Sequence, residues 1–260
     1  MKMLLESFDS NLELYNFLEK TDFVGRRKSQ APKSVLEKLI IGDSYNIEKI
    51  EMGYIKSLGN KSKTKFDFYG QIPVVSKALQ GDPYCFLNRK KVLCENKFIT
   101  ICYDIGCPWY VSSSEIIESG TKMLNVINYL EENGYRVRLY SSIVAADFGK
   151  NTSNVLLVKL KEFEEILSLG RVAFNIANPD FLREVFFEFC DKSKKYILMK
   201  GYGTPVIATN KTNCKNVSIQ FSHLFNSRVV YTGTMNFLEY GNLSFEEIAN
   251  RLTELEFEDN

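Results

Sequence analysis

The chain has 260 residues, 45% hydrophobic and 25% charged, which suits one large globular domain or a domain with an appendage. Its net charge of +1 supplies no global field toward nucleic acid or an anionic membrane, so any such binding must come from a local patch. The 13% aromatic content excludes a disordered polar chain, and no apolar run approaches the length of a membrane span.

Residues 1–95 read mainly as helices and loops. Leu12, Leu14, Tyr15 and Leu18 have the spacing of a short amphipathic helix. A polar linker follows with Arg26, Arg27, Lys28 and Lys33, then two short helices around Gly42-Asp43. GNKSKTK, residues 59–65, reads as a second basic loop. DFYGQIPVVSKALQGDP, residues 67–83, reads as a turn, a short helix from Pro73 and a Gly-Asp-Pro stop.

From residue 97 the pattern changes. KFITICYD is nearly continuous in apolar residues, as a strand buried on both faces requires. Ser112 and Glu115 form an S-x-x-E capping box, which opens a helix ending at Gly134. YRVRLYSS alternates with period two, and DFGKN makes a turn into NVLLVKL, so these two strands are expected to form an antiparallel hairpin. A helical stretch spans 162–177, and Asn178-Pro179 restarts a helix. Residues 196–208 and 217–232 read as strands with a glycine turn, and Ser244 and Glu247 cap a final helix. The expected fold is therefore α/β: a Rossmann-like, mostly parallel sheet with one antiparallel edge strand, preceded by a helical N-terminal region. Residues 96–260 would form the core. The hairpin placed after the first strand–helix–strand unit gives this part the topology of a von Willebrand factor A domain.

Several segments in order also resemble a family of uncharacterised proteins of tailed phages and prophages. They are FDS at 8–10, GR at 25–26, DFYGQIPVVSKALQGDP, GTKMLNVINYLEENGYRVRLY and VAFNIANPDFLREVFFE. They span about residues 8–190. The resemblance implies phage origin and an accessory role, and brings no chemistry.

The strand–loop–helix YDIGCPWYVSSSE, residues 103–115, stands where A-domains carry a D-x-S-x-S run that holds Mg²⁺ through hard oxygen ligands. Here the matching positions are Asp104, Gly106 and Pro108, so two of the three lack a side-chain oxygen. Ser112 to Ser114 are accounted for by the helix cap. No metal and no other cofactor is expected. The carboxyl edge of such a sheet is where α/β proteins bind their ligands. Trp109 and Tyr110, with Asp104 beside them, are therefore the expected protein-contacting residues.

Nothing assembles into a catalytic set. The single histidine, His223, rules out multi-histidine metal sites and leaves little for Ser-His or Cys-His catalysis. Cys107 lies near a helix N-terminus but has no base close in sequence. Gly201-Tyr-Gly203-Thr204 lacks the G-K-[ST] ending of a phosphate loop, and turn chemistry explains Asp67 and Asp82. The six cysteines form no C-x-x-C pair, and MKMLLESFDS is too short an apolar stretch for a signal peptide. A reduced, cytoplasmic, non-enzymatic protein that binds a protein partner is the expectation. The alternative is an RNA- or DNA-binding module. It would use Arg26, Arg27 and Lys28, Lys61, Lys63 and Lys65, and Arg89, Lys90 and Lys91, with nearby aromatics for stacking. A membrane partner is not expected.

Overall fold

A computed structural model describes residues 2–24, 30–43, 62–70, 72–91, 97–147, 152–193, 204–205 and 211–257. The first half holds β1 (Lys2–Phe8), α1 (Asn11–Lys20), α2 (Lys33–Ile41), β2 (Ser62–Asp67), β3 (Ile72–Pro73), α3 (Val75–Leu79) and β4 (Phe86–Lys91). Then come β5 (Lys97–Asp104), α4 (Ser113–Glu132), β6 (Tyr135–Asp147), β7 (Thr152–Lys161), α5 (Leu169–Ala177), a π-helical turn (Phe181–Val185) and α6 (Phe186–Lys192). β8 (Thr204–Pro205), α7 (Lys211–Phe225), β9 (Val229–Gly233), α8 (Thr234–Tyr240) and α9 (Phe245–Phe257) complete it.

The main sheet runs β1-β7-β6-β5-β9, with short β8 beside β6. β5 pairs in parallel with both β6 and β9, while β6 and β7 form the antiparallel pair expected of the hairpin. β5 is the hub because its residues 99–104 are all buried, which only a strand with neighbours and cover on both faces can be. The side chains of Ile99, Ile101 and Tyr103 join the larger apolar layer, and Cys102 joins the smaller one on the opposite face.

α4 lies in the larger layer. Its Ile116, Gly120, Met123, Leu124, Ile127 and Leu130 recur at helical spacing and are all buried. The capping box read from the sequence is present: Glu115 N donates to Ser112 Oγ, and Ser112 N donates to the Glu115 carboxylate. Gly134 takes φ +89°, the left-handed value that ends the helix. On the opposite face Val217 and Phe221 of α7 pack against Cys102, Tyr140 and Tyr231.

The mostly parallel sheet with its antiparallel β6–β7 pair, and α1 and α2 before it, match the expected fold class. Several local expectations are corrected. Residues 2–8 form an edge strand, with Lys2 to Phe8 paired in parallel to Thr152 to Val158, so β7 has a neighbour on each side. Phe8, Leu14, Leu18, Leu36 and Leu39 are part of the main core, so the N-terminal elements build the same core as the residues after 96. Residues 62–65, expected in a basic loop, belong to β2 of a three-stranded antiparallel sheet, β2-β4-β3, while the short helix expected from Pro73 is present as α3. Of the strands expected over 217–232, RVVYTG is present as β9, but residues 217–225 are helical, because Val217 and Phe221, four apart, stack on one side against the sheet. Residues 162–168 precede α5 as turns. The second helix expected around Gly42-Asp43 and the turn at Gly201 lie outside the described residues.

Two buried cations join the layers. Lys161 of β7 reaches Glu131 of α4 at 2.7 Å and donates to the Val137 carbonyl at 3.0 Å. Lys192 pairs with Glu188 at 2.7 Å, and Glu188 also accepts from Ala31 N at 2.8 Å, which ties the segment before α2 to α6. Removing one member leaves a buried charge without its counterion, the costly way to break such a pair.

α4 and α5 approach closely at Gly120. A Cβ there would run into the Ile176 carbonyl oxygen and the Cα of Ala177, so α4 and the end of α5 meet backbone to backbone. Gly120→Ala should therefore destabilise the fold by about 1–3 kcal/mol despite alanine's better helix propensity. Urea unfolding monitored by circular dichroism checks this, and an unchanged or raised midpoint would contradict the packing.

Candidate functional site at the carboxyl edge of the central strand

β5 ends in Asp104, which pairs in register with Ser142 of β6 and Gly233 of β9. Its side chain is buried, 1% exposed. One oxygen accepts from the backbone N–H of Gly106 at 2.7 Å, and the other accepts from the Tyr231 hydroxyl. Alternation along β5 and β9 puts Asp104, Ser142, Cys102 and Tyr231 on one face and Tyr103 and Thr232 on the other. Tyr103 OH lies 3.3 Å from Thr234 Oγ1, buried beneath α4 and α8.

Glycine is required at both neighbours of the carboxylate. A Cβ on Gly106 would stand 2.8 Å from Asp104 Oδ1, and one on Gly233 would strike the Asp104 carbonyl oxygen. The carboxylate is thus enclosed by backbone and one phenol. Neither glycine offers an oxygen ligand from its side chain. Among the described residues no three His, Cys, Asp or Glu side chains come together in a way that could hold a metal ion. The donor set here does not fit a divalent cation.

Burial pushes the Asp104 carboxyl up to about 7 from its ordinary 3.8, against the Tyr231, Gly106 and Val144 hydrogen bonds, which favour its charged form. The Cys107 thiol is likewise pushed up to about 11, by burial first and then by Asp104, so it is a poor nucleophile near neutral pH. Burial also raises Cys102 well above its ordinary range.

The loop from Ile105 to Ser112 is held at both ends. Ile105 N donates to the Ser142 carbonyl at 3.1 Å, and Val111 N donates to the Pro108 carbonyl at 3.1 Å. Val111 is buried as a plug. Arg183, on the π-helical turn, donates to the Val111 carbonyl and to Ser113 Oγ, both at 3.1 Å. Between these anchors Trp109 is 92% exposed and Tyr110 63% exposed, their ring centroids 6.1 Å apart and nearly perpendicular.

Of the residues expected to contact a partner, Trp109 and Tyr110 are therefore at the surface. Asp104 is not: it is an internal clasp under the loop. Tyr231 and Arg183 had no signal in the sequence. Tyr231 lies 127 positions from Asp104 and meets it only through the β5–β9 register. Arg183 reaches the loop from 72 positions away.

The basic residues fall differently. Lys63 and Lys65 lie on β2, and Arg89, Lys90 and Lys91 lie on β4, paired antiparallel. Arg26, Arg27, Lys28 and Lys61 lie outside the described residues. His223, in the last turn of α7, is exposed. Asp82 accepts from Tyr84 N at 2.9 Å and pairs with Lys77 at 3.0 Å, a turn brace consistent with its position in Gly-Asp-Pro.

Comparison with known proteins adds one finding. The chain belongs to the family described as a domain of unknown function, DUF7192. The match covers residues 40–244, so it takes in β5, the loop, Arg183 and Tyr231, and leaves out β1 and α1. No curated protein and no solved structure matches the chain. No helix among the described residues is long and apolar enough to cross a membrane.

The buried carboxyl gives a test with a definite sign. Its folded value, about 7, lies above the unfolded 3.8, so between these values the folded state holds more of its proton. Its contribution to stability therefore falls as pH rises through that window and levels off above about 7. Asp104→Asn keeps an acceptor for Gly106 and removes the titration. Urea midpoints at pH 5, 6, 7 and 8 should show the parent losing ground to the variant up to about pH 7, then running parallel. The opposite trend would mean that the carboxylate is stabilised as an anion.

Proposed function

We propose that this protein is a non-enzymatic binding protein that docks a protein partner through the loop at the carboxyl edge of β5, with Trp109 and Tyr110 as the anchors. One observation carries the reading: the sole tryptophan stands 92% exposed on a loop held at both ends. A large exposed aromatic ring leaves apolar surface in water, and aromatic rings are over-represented among the residues that dominate interface energies. A loop already fixed by Asp104, Val111 and Arg183 loses little conformational entropy on binding, which favours affinity.

The rest of the site supports binding over chemistry. Asp104 is enclosed, Cys107 is held as a thiol, and His223 sits far along the chain on an exposed helix turn. The sheet order around β5, with parallel neighbours and an antiparallel strand beyond β6, supports a likeness to von Willebrand factor A domains. In that likeness Asp104 occupies the place of the first metal-binding aspartate. The ordered segments shared with tailed-phage and prophage proteins support an accessory role in infection. The partner is then a host complex, such as a defence system, or a component of the phage's own machinery. The reading places the protein in the cytoplasm of the host cell.

Pull-down from infected-cell lysate with the parent protein and with Trp109→Ala/Tyr110→Ala tests this. The parent should retain a partner that the double variant loses by at least about tenfold, the scale of a hot-spot residue. Both proteins should unfold at the same urea concentration within experimental error, since exposed side chains contribute little to stability. Equal retention by both, or no partner on the parent, would overturn the proposal.

A further inference from the structure

The small sheet of residues 62–91 carries a second feature, independent of the Trp109 loop. Six of its residues are Lys or Arg and two are Asp, a net of +4 in a chain whose total is +1. Two basic segments that are far apart in sequence become neighbours there. The β2–β4 register sets Lys63 directly opposite Lys90, Lys65 opposite Asn88 and Thr64 opposite Arg89. By strand alternation, positions 63, 65, 88 and 90 share one face of the ribbon. Like charges placed directly opposite each other destabilise a strand pair.

The same unit exposes aromatic rings. Tyr69 is 75% exposed, Phe68 57% and Tyr84 46%, and Phe68 and Tyr84 lie against each other with centroids 4.3 Å apart. Of the two acids, Asp82 is engaged by Lys77 and Tyr84 N, so it does not cancel the ribbon's charge. Cationic positions along two strands with exposed rings at one end suit a polyanion that also offers flat apolar faces.

We propose that the β2-β4-β3 sheet binds single-stranded nucleic acid, with Lys63, Lys65 and Lys90 lying along the phosphates and Tyr69 and the Phe68–Tyr84 pair stacking on unpaired bases. Stacking selects the single strand, because the bases of a duplex already stack on each other. Arg89 and Lys91 hold the alternate positions of β4.

Fluorescence anisotropy of the full chain with end-labelled oligo-dT and oligo-U of about 20 nucleotides tests this, with duplex DNA of the same length and phosphatidylserine vesicles as the other arms. The two oligonucleotides separate DNA from RNA as the source of the shared chemistry. Affinity for a single strand should exceed that for duplex. It should fall about tenfold or more between about 50 and 200 mM salt. Lys63→Glu/Lys65→Glu/Lys90→Glu should abolish binding at about 200 mM salt, where the parent still binds. Tyr69→Ala should weaken it by about fivefold or more, with the salt slope unchanged. Lys20→Glu/Lys33→Glu, the same kind of change at exposed positions of α1 and α2, should leave affinity within about twofold. Circular dichroism and the urea midpoint report whether the triple variant keeps the main fold. Tyr69→Ala supplies the test if it does not. The proposal is overturned if neither oligonucleotide binds at low salt, if duplex binds as well as the single strand, if only the vesicles bind, or if the Lys20/Lys33 variant loses as much as the ribbon variant.

Discussion

The carboxyl edge of this protein depends on one buried contact, the clasp that Asp104 makes with Gly106 N–H and the Tyr231 hydroxyl. It joins three things: the end of the central strand, the loop that leaves it, and the neighbouring strand β9. A carboxylate in so dry a place is costly, which is why its proton is held up to about pH 7. The hydrogen bonds from Tyr231, Gly106 and Val144 offset part of that cost, and a Cβ on Gly106 or Gly233 would crowd Asp104. The aspartate thereby acts on geometry. It sets the direction in which the chain leaves β5, and that direction carries Trp109 and Tyr110 outward.

The same arrangement supports the proposal that the edge binds a partner. A metal site here would need oxygen ligands where Gly106, Pro108 and Gly233 stand. A nucleophile would need a thiol that ionises more readily than Cys107. What the edge does offer is an exposed indole and phenol on a braced loop. Arg183 provides the far brace, from a π-helical turn, and such turns are frequent at functional sites.

Much of the architecture was legible in the sequence because its signals are local. KFITICYD is too apolar for anything but a strand buried on both faces. Ser112 with Glu115 marks the start of α4, and Gly134 marks its end. The alternating run YRVRLYSS and the apolar run NVLLVKL, on either side of the turn read at DFGKN, form the antiparallel pair. What was missed depends on distant partners. KMLLESF becomes a strand because β7 presents an open ladder of hydrogen-bonding groups along Thr152 to Val158. NVSIQFSHLF carries Val, Ile and Phe and reads as a strand, yet it coils to stack Val217 and Phe221 on the sheet. GNKSKTK reads as a basic loop because lysine is disfavoured in strands, and only its pairing with the segment around Arg89 reveals the ribbon. The site was legible in the same measure: Trp109 and Tyr110 follow from their place after β5, while the burial of Asp104 and its bond to Tyr231 required the register of a strand 127 residues away.

The central claim is that Trp109 is the contact point on a loop fixed before binding. It is the only tryptophan, so replacing it biosynthetically with 5-fluorotryptophan gives one ¹⁹F resonance for the whole protein. In the free protein that resonance should show the solvent sensitivity of an exposed indole. On addition of the captured partner it should move and lose that sensitivity as the ring is buried. A resonance that keeps its position and solvent sensitivity while the partner is bound would show that docking occurs elsewhere and would contradict the account.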